Sequence, residues 1–187
     1  MAATRSDALK NRHFILETAQ TLFRNQSVES VSMKMIATNA NIGTGTLYRH
    51  FSNKAELCMA LIDKDVATLF ESIDKYKASE DDLQEQLRFI LLNFIELKER
   101  NIELLEEIER AGKRGRVLMN IPFYERLKNE VFHIITEMNI VNDPDFHTDI
   151  LLNSFSADVF DYQNKVKGIA STQFVDRILK IFIRGIK

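Results

Sequence analysis

The sequence predicts an all-α protein in which three short N-terminal helices are joined by a long helix to a larger helical body. Three observations lead there. Apolar residues recur with a helical period along most of the chain, and no segment of useful length alternates with period two. Two prolines and six glycines in 187 residues are too few for a turn-rich β architecture. A hydrophobic share of 45% beside 28% charged residues lets the chain close a core and stay wet outside.

Taken in order, Ile15, Ala19, Leu22 and Phe23 stand at i, i+4, i+7 and i+8, one apolar stripe on a first helix over roughly 7–25. Ser32 reads as the N-cap of a short helix whose inward residues are Met33, Ile36 and Ala37. Asn41 interrupts that pattern, and Gly43 opens a third helix with Leu47 and Phe51 at i, i+4. Ser52 or Asn53 caps the long helix, with Glu56 in its first turn and Leu57, Leu61, Ala67 and Phe70 carrying it to about Ala78. Leu83, Leu87, Ile90, Phe94 and Leu97 mark the next helix, and 101–110 continues helically to a stop near Gly112. Pro122 lies in the first turn of a helix reaching Met138, where its missing N–H costs little. Asn139–Asp145 reads as a loop, followed by two closing helices at roughly 146–166 and 172–185.

Several function classes drop out at this stage. Cys58 is the lone cysteine, so neither an internal disulfide framework nor a multi-cysteine zinc site is expected, and it is most simply a small buried residue. His133 and His147 have no partner at metal-ligand spacing, so no metal is predicted, and no cofactor either. No nucleophile–base pair, carboxylate pair or phosphate loop emerges from the spacing, which argues against an enzyme. No charge-poor apolar run reaches the length of a membrane span, and the polar start lacks a signal-peptide core. The expectation is a cytoplasmic protein without membrane contact.

Charge is unevenly spread. Residues 1–56 carry seven basic against four acidic side chains, a net +3, while the remainder nets −5. A basic first quarter on an acidic body suits a nucleic-acid-reading module carried by a separate domain. Three short helices with a tight turn between the second and third have the makings of a helix-turn-helix. On the third, Leu47 and Phe51 point inward, while Thr44, Tyr48 and Arg49 point elsewhere, toward where a major groove is able to receive them.

ILETAQTLF followed by SMKMIATNANIGTGTLYRHFSNKAEL closely resembles the DNA-binding module of the TetR family of transcriptional regulators. The pattern is carried in register by Ile36, Ala37, Gly45, Thr46, Leu47, Tyr48, Phe51, Lys54 and Leu57. The resemblance covers about 43 residues and implies a DNA-binding domain over 1–56 and an effector-binding and dimerisation domain over 57–187. It implies phosphate contacts from Tyr48, His50 and Lys54, a groove-facing set of Thr44, Gly45 and Arg49, and Ser32 as a backbone contact or cap. Three positions depart from the pattern. Ser27 and Asn41 stand where the family has glycines, and Gly43 where it has a serine. Asn tolerates the left-handed conformation, whereas Ser27 is strained if its φ is positive.

The last two helices look built for a partner. Phe174, Ile178 and Ile181 form one stripe, with Val175, Leu179, Phe182 and Ile186 beside it. The preceding helix offers Leu151, Phe155, Val159, Tyr162 and Val166. This arc is wider than one core needs, and in the resembled family the closing helices pair as a four-helix dimer bundle. The candidate interface is therefore Leu151, Phe155, Val159, Tyr162, Phe174, Ile178 and Phe182. Candidate lining for a small-molecule effector is Phe89, Phe94, Met119, Phe123, Tyr124, Phe132 and Phe155. Glu103, Glu106, Glu107 and Glu109 read as a solvated face pairing with Arg110, Lys113 and Arg114. The resemblance implies a ligand-responsive homodimer, acting as a repressor on double-stranded DNA with a palindromic operator. The alternative is a DNA-bound regulator controlled by a protein partner.

Overall fold

A computed structural model describes residues 5–112 and 122–184, and within them every regular element is a helix. In order these are α1 (Arg5–Asn25), α2 (Met33–Asn39), α3 (Thr44–His50), α4 (Lys54–Lys77), α5 (Leu83–Arg100), α6 (Ile102–Gly112), α7 (Pro122–Met138), α8 (Pro144–Asn153), α9 (Ala157–Asp161) and α10 (Ser171–Leu179). Both α9 and α10 continue as single π-helical turns, Tyr162–Val166 and Lys180–Arg184. The chain divides into two compact units. One runs through Lys64 and takes in α6; the other starts at Asp65 and holds the remaining helices. The head is thus discontinuous in sequence, with α6 added to the three helices and the first turns of α4.

The head closes on one apolar cluster. Ile15 and Ala19 of α1, Met33, Ile36 and Ala37 of α2, Leu47 of α3, and Val31, Phe51 and Leu57 are all buried in it, with Leu22 and Phe23 partly so. Each large side chain taken out of water there contributes about 1.5–3 kcal/mol. Helix ends follow from local chemistry. The Ser32 hydroxyl oxygen accepts the Met35 N–H at 3.2 Å, capping α2 as predicted. At the other end Asn41 sits at φ 51°, with its N–H on the Thr38 carbonyl and the Ile42 N–H on Ala37 O at 3.0 Å. That is a Schellman ending with asparagine at the left-handed position. Ser27 carries no such strain: the non-glycine residues with positive φ among those described are Asn41 and Asn139. Instead Ser27 opens a turn, its carbonyl accepting both the N–H (3.1 Å) and the hydroxyl (2.8 Å) of Ser30.

Asn53 caps α4, its side-chain oxygen accepting the Glu56 N–H at 2.8 Å. Glu56 reaches back to accept from the N–H and the hydroxyl of Ser52, both at 2.6 Å.

The body packs α5, α7, α8 and α10 with the second half of α4. Leu87, Ile90, Leu91 and Phe94 of α5, Leu127, Val131 and Ile134 of α7, and Ile73 of α4 are buried there. Ion pairs tie the helices at their rims: Lys77 to Glu130 (2.6 Å), Arg88 to Asp176 (2.7 Å), and Lys128 to both Asp145 and Asp149. Two sequence expectations are corrected here. Helix α8 begins at Pro144, not 146, because the Asp143 side chain caps it and Pro144 takes the first turn. The expected single helix over 146–166 is broken at Ser154–Ser156, where the freed Phe155 carbonyl accepts from the Lys98 ammonium at 2.8 Å.

That break decides which apolar residues face inward. Leu151, Phe155 and Phe174 are buried in the body's own core, so they are not available to a second subunit as the sequence pattern suggested. Phe155 and Phe160 both meet the Phe174 ring edge-on. Val159 (41% exposed) and Tyr162 (51%) lie open, as do Val166 and Ile181, while Ile178 and Phe182 are half-buried.

Candidate nucleic-acid interface

Helix α3 is seven residues long and two-sided. Leu47 is fully buried and Phe51, just past the helix, closes the same side. The opposite side is polar and open: Thr44, Gly45, Tyr48 (53% exposed) and Arg49 face solvent. Thr44 and Tyr48 stand at i, i+4, as do Gly45 and Arg49, so the four share one surface. Arg49 lies along the helix, its guanidinium on the Thr46 hydroxyl at 3.1 Å and the Gly45 carbonyl at 3.4 Å. His50 is half-buried in the last turn.

Gly45 is informative for what it lacks. A Cβ built there meets nothing within 4 Å, so no neighbouring helix requires the space. The room lies outside the chain, on the face that carries Tyr48 and Arg49. At Gly43, the N-cap at φ −66°, a Cβ would meet the Thr46 hydroxyl at 4.0 Å, an ordinary contact, and the helix start has no side-chain cap. Ser32 is exposed and spends a lone pair on its own helix, which leaves an O–H to give.

Lys54 departs from expectation. Its side chain is only 16% exposed, and its ammonium donates to the carbonyls of Val28 (3.0 Å), Glu29 (3.4 Å) and Val31 (3.2 Å) and pairs with Glu107 (3.3 Å). It faces the α1–α2 loop and α6. The acidic run on α6 is likewise not a plain solvated face. Glu103 accepts the Val28 N–H at 2.8 Å, and Glu107 bridges Lys54 and Arg110. Sequence reading missed this because the partners lie far away along the chain; the available signal was the i, i+4, i+7 spacing of Glu103, Glu107 and Arg110 opposite buried Leu105 and Ile108. Lys113 and Arg114 lie outside the described residues.

The candidate pocket residues within the described part of the chain fall into several ring contacts. Phe94, Phe123 and Tyr124 form one edge-to-face group; Phe89 stacks flat on Tyr76 at 3.9 Å; Phe155 belongs to the Phe174 group; Phe132 leans on His133. Met119 lies outside the described residues. A cavity of about 110 Å³ between α4 and α5 is lined instead by polar groups, among them Asp65, Thr68, Ser72, Asn93 and Arg100. Cys58 is fully buried, and burial with Glu107 nearby pushes its thiol up to about 12. No helix among the described residues is long and apolar enough to cross a membrane.

Comparison with known proteins agrees with the head's geometry. Residues 15–61 match the profile of the bacterial regulatory proteins of the tetR family. An HTH-type transcriptional regulator of Staphylococcus aureus strain MRSA252 is 33% identical over 183 residues, covering 96% of each chain. A second, from the bovine strain of the same species, is 33% identical over 182 residues with the same coverage. Among solved structures, Thermus thermophilus FadR, a TetR family transcriptional repressor in complex with lauroyl-CoA, superposes with a TM-score of 0.74 at 17% identity, over 94% of this chain and 95% of that one. The fatty acid degradation regulator FadR of Bacillus halodurans gives 0.63 at 14% identity, over 95% and 96%. With a three-helix head presenting a polar α3 and relatives that match along nearly their whole length, the chain is a DNA-binding transcriptional regulator, not an enzyme, and belongs to the TetR family.

Proposed function

We propose that this protein is a homodimeric repressor that occupies a palindromic operator and lets go when a small molecule binds its body. The observation that carries the DNA side of this reading is the open face of α3. Thr44, Gly45 and Arg49 are proposed to meet base edges, with Tyr48, His50 and Ser32 on phosphates. Gly45 in particular has no intramolecular reason to lack a side chain. A two-fold dimer sets two such helices about 34–36 Å apart, which demands a matching pair of half-sites. The exposed Val159, Tyr162, Val166 and Ile181 support self-association, because a lone subunit leaves them wet. An effector in the body is supported by the fold's use in a protein described with lauroyl-CoA bound. Its site in this chain is proposed near the Phe94, Phe123 and Tyr124 group, where the rings meet edge to face. A DNA-bound regulator of this kind works where the chromosome is, in the cytoplasm.

Tyr48→Ala combined with Arg49→Ala tests the interface. Both side chains are exposed, so the variant folds and associates like the parent, and binding to duplexes selected by the parent falls by at least about a hundredfold. Unchanged affinity overturns the assignment of α3. Sequencing the fragments that the parent protein captures from its own genome then reveals whether the sites are palindromic.

A further inference from the structure

The loop that joins α1 to α2 is held on both sides by charged groups from distant parts of the chain. The Val28 peptide has its N–H on Glu103 and its carbonyl on Lys54. The Glu29 carbonyl also takes Lys54, while its carboxylate pairs with Arg110 at 3.4 Å. The Val31 carbonyl completes the set, and Glu107 closes the circuit by touching both Lys54 and Arg110. Glu103, Glu107 and Arg110 occupy one face of α6. Four oxygens therefore surround an ammonium that has three hydrogens to give.

This arrangement explains a lysine in the first turn of a helix, where the dipole disfavours a cation. The long stem carries the charge off the helix and onto acceptors. It also makes a second use of that ammonium costly. Val28 and Val31 are buried residues, and pulling the ammonium away to a phosphate leaves their carbonyls without the donor they now have. Val31 is followed directly by Ser32, the cap of α2, and α2 packs against α3 in the shared core. What fixes the loop fixes where the DNA-reading helix begins.

We propose that Lys54 is a positioning residue that, with Glu103 and Glu107, registers the start of α2, and through it α3, against α6, and that it makes no phosphate contact. The proposal rests on the DNA-binding assignment of α3, and its test separates the two. The full-length protein, Lys54→Met and Glu103→Gln are titrated with a duplex of about 30 bp, selected by the parent from a randomised pool, across a series of KCl concentrations. Lys54→Met is expected to bind about tenfold more weakly with the parent's salt dependence. A lost phosphate contact instead flattens the slope of log K against log salt by about 0.9 per subunit. Glu103→Gln gives the opposed sign. Removing a carboxylate near a polyanion strengthens binding by charge alone, whereas positioning predicts a fall of about threefold or more. Amide exchange over Val28–Ile36, read without DNA, is expected to rise about tenfold in both variants. A flattened slope, or tighter binding by Glu103→Gln with unchanged exchange, overturns the proposal. Should Lys54→Met fail to fold, Glu103→Gln, which keeps its shape, decides alone. If the parent selects no duplex, the reading of α3 fails, and the exchange measurement still decides whether these residues hold the loop.

Discussion

On the proposed reading of α3, Gly45 is the residue where stability and function pull in opposite directions. A glycine inside a helix costs about 1 kcal/mol relative to alanine, and nothing within 4 Å forbids a methyl group there. Gly45→Ala is therefore expected to stabilise the protein by roughly 0.5–1 kcal/mol in denaturant unfolding while weakening duplex binding. A variant that binds DNA as tightly as the parent removes the claim that this space is kept for the groove. Cys58 makes a contrasting case, a chemically capable group with no access. With its thiol pushed from 9.0 to about 12, the folded protein holds about a thousandfold less thiolate at pH 8 than an open chain. Iodoacetamide at that pH is expected to leave it unlabelled until denaturant is added; labelling of the native protein returns a redox role to consideration. The legibility of such residues depends on range. Leu47 and Phe51 reveal their side of α3 because their spacing is local. The partners of Lys54 lie 23 to 26 residues upstream and on α6, and no local pattern points to them.

At the scale of elements, helix ends written in short-range chemistry are legible, in the head and at Leu83, Pro122 and Met138 of the body, while the break within 146–166 is not. Ser32 and Asn41 act within four or five residues, as a cap and a left-handed stop. In the body, apolar periodicity ran through 146–166 without pause, because Phe155 is buried whether or not the helix continues. The break at Ser154–Ser156 depends on Lys98, from another helix, accepting the role of donor to the freed carbonyl. The start of α4 offers a pH test. The Ser52 hydroxyl and N–H, with a smaller contribution from Arg12, hold the Glu56 carboxyl below its ordinary 4.5. A depressed carboxyl stabilises the fold above its unfolded value, and that contribution fades as pH falls through the folded one. The Tm gap between the parent and Glu56→Gln is thus expected to be full at pH 7 and to shrink steadily below about pH 4.5. A gap that is flat with pH would mean that the carboxylate's charge adds nothing to the cap.

At the scale of the whole molecule, the question is how a head with the few phosphate contacts proposed for it holds DNA at all. One subunit offers a single short helix and a handful of donors, so on the proposed reading occupancy depends on two heads engaging together. The strength of that coupling lies in whatever joins the subunits. Here the structure narrows the choice among the apolar residues of the closing helices. Substituting Leu151, Phe155 or Phe174 opens a cavity in the subunit itself, at about 2–5 kcal/mol, and any loss of association then says only that the fold has failed. Tyr162 and Ile181 are 51% and 65% exposed, so a charge placed on either leaves a single subunit nearly undisturbed. Tyr162→Glu with Ile181→Glu is therefore expected to sediment as a monomer with native helical content, and to lose operator affinity together with the dimer. Because each head is untouched, weak binding to nonspecific duplex at low salt should survive, with about half the parent's salt slope. A double variant that stays dimeric moves the interface off these helices, and one that is monomeric yet binds its operator at full strength severs the link between pairing and recognition.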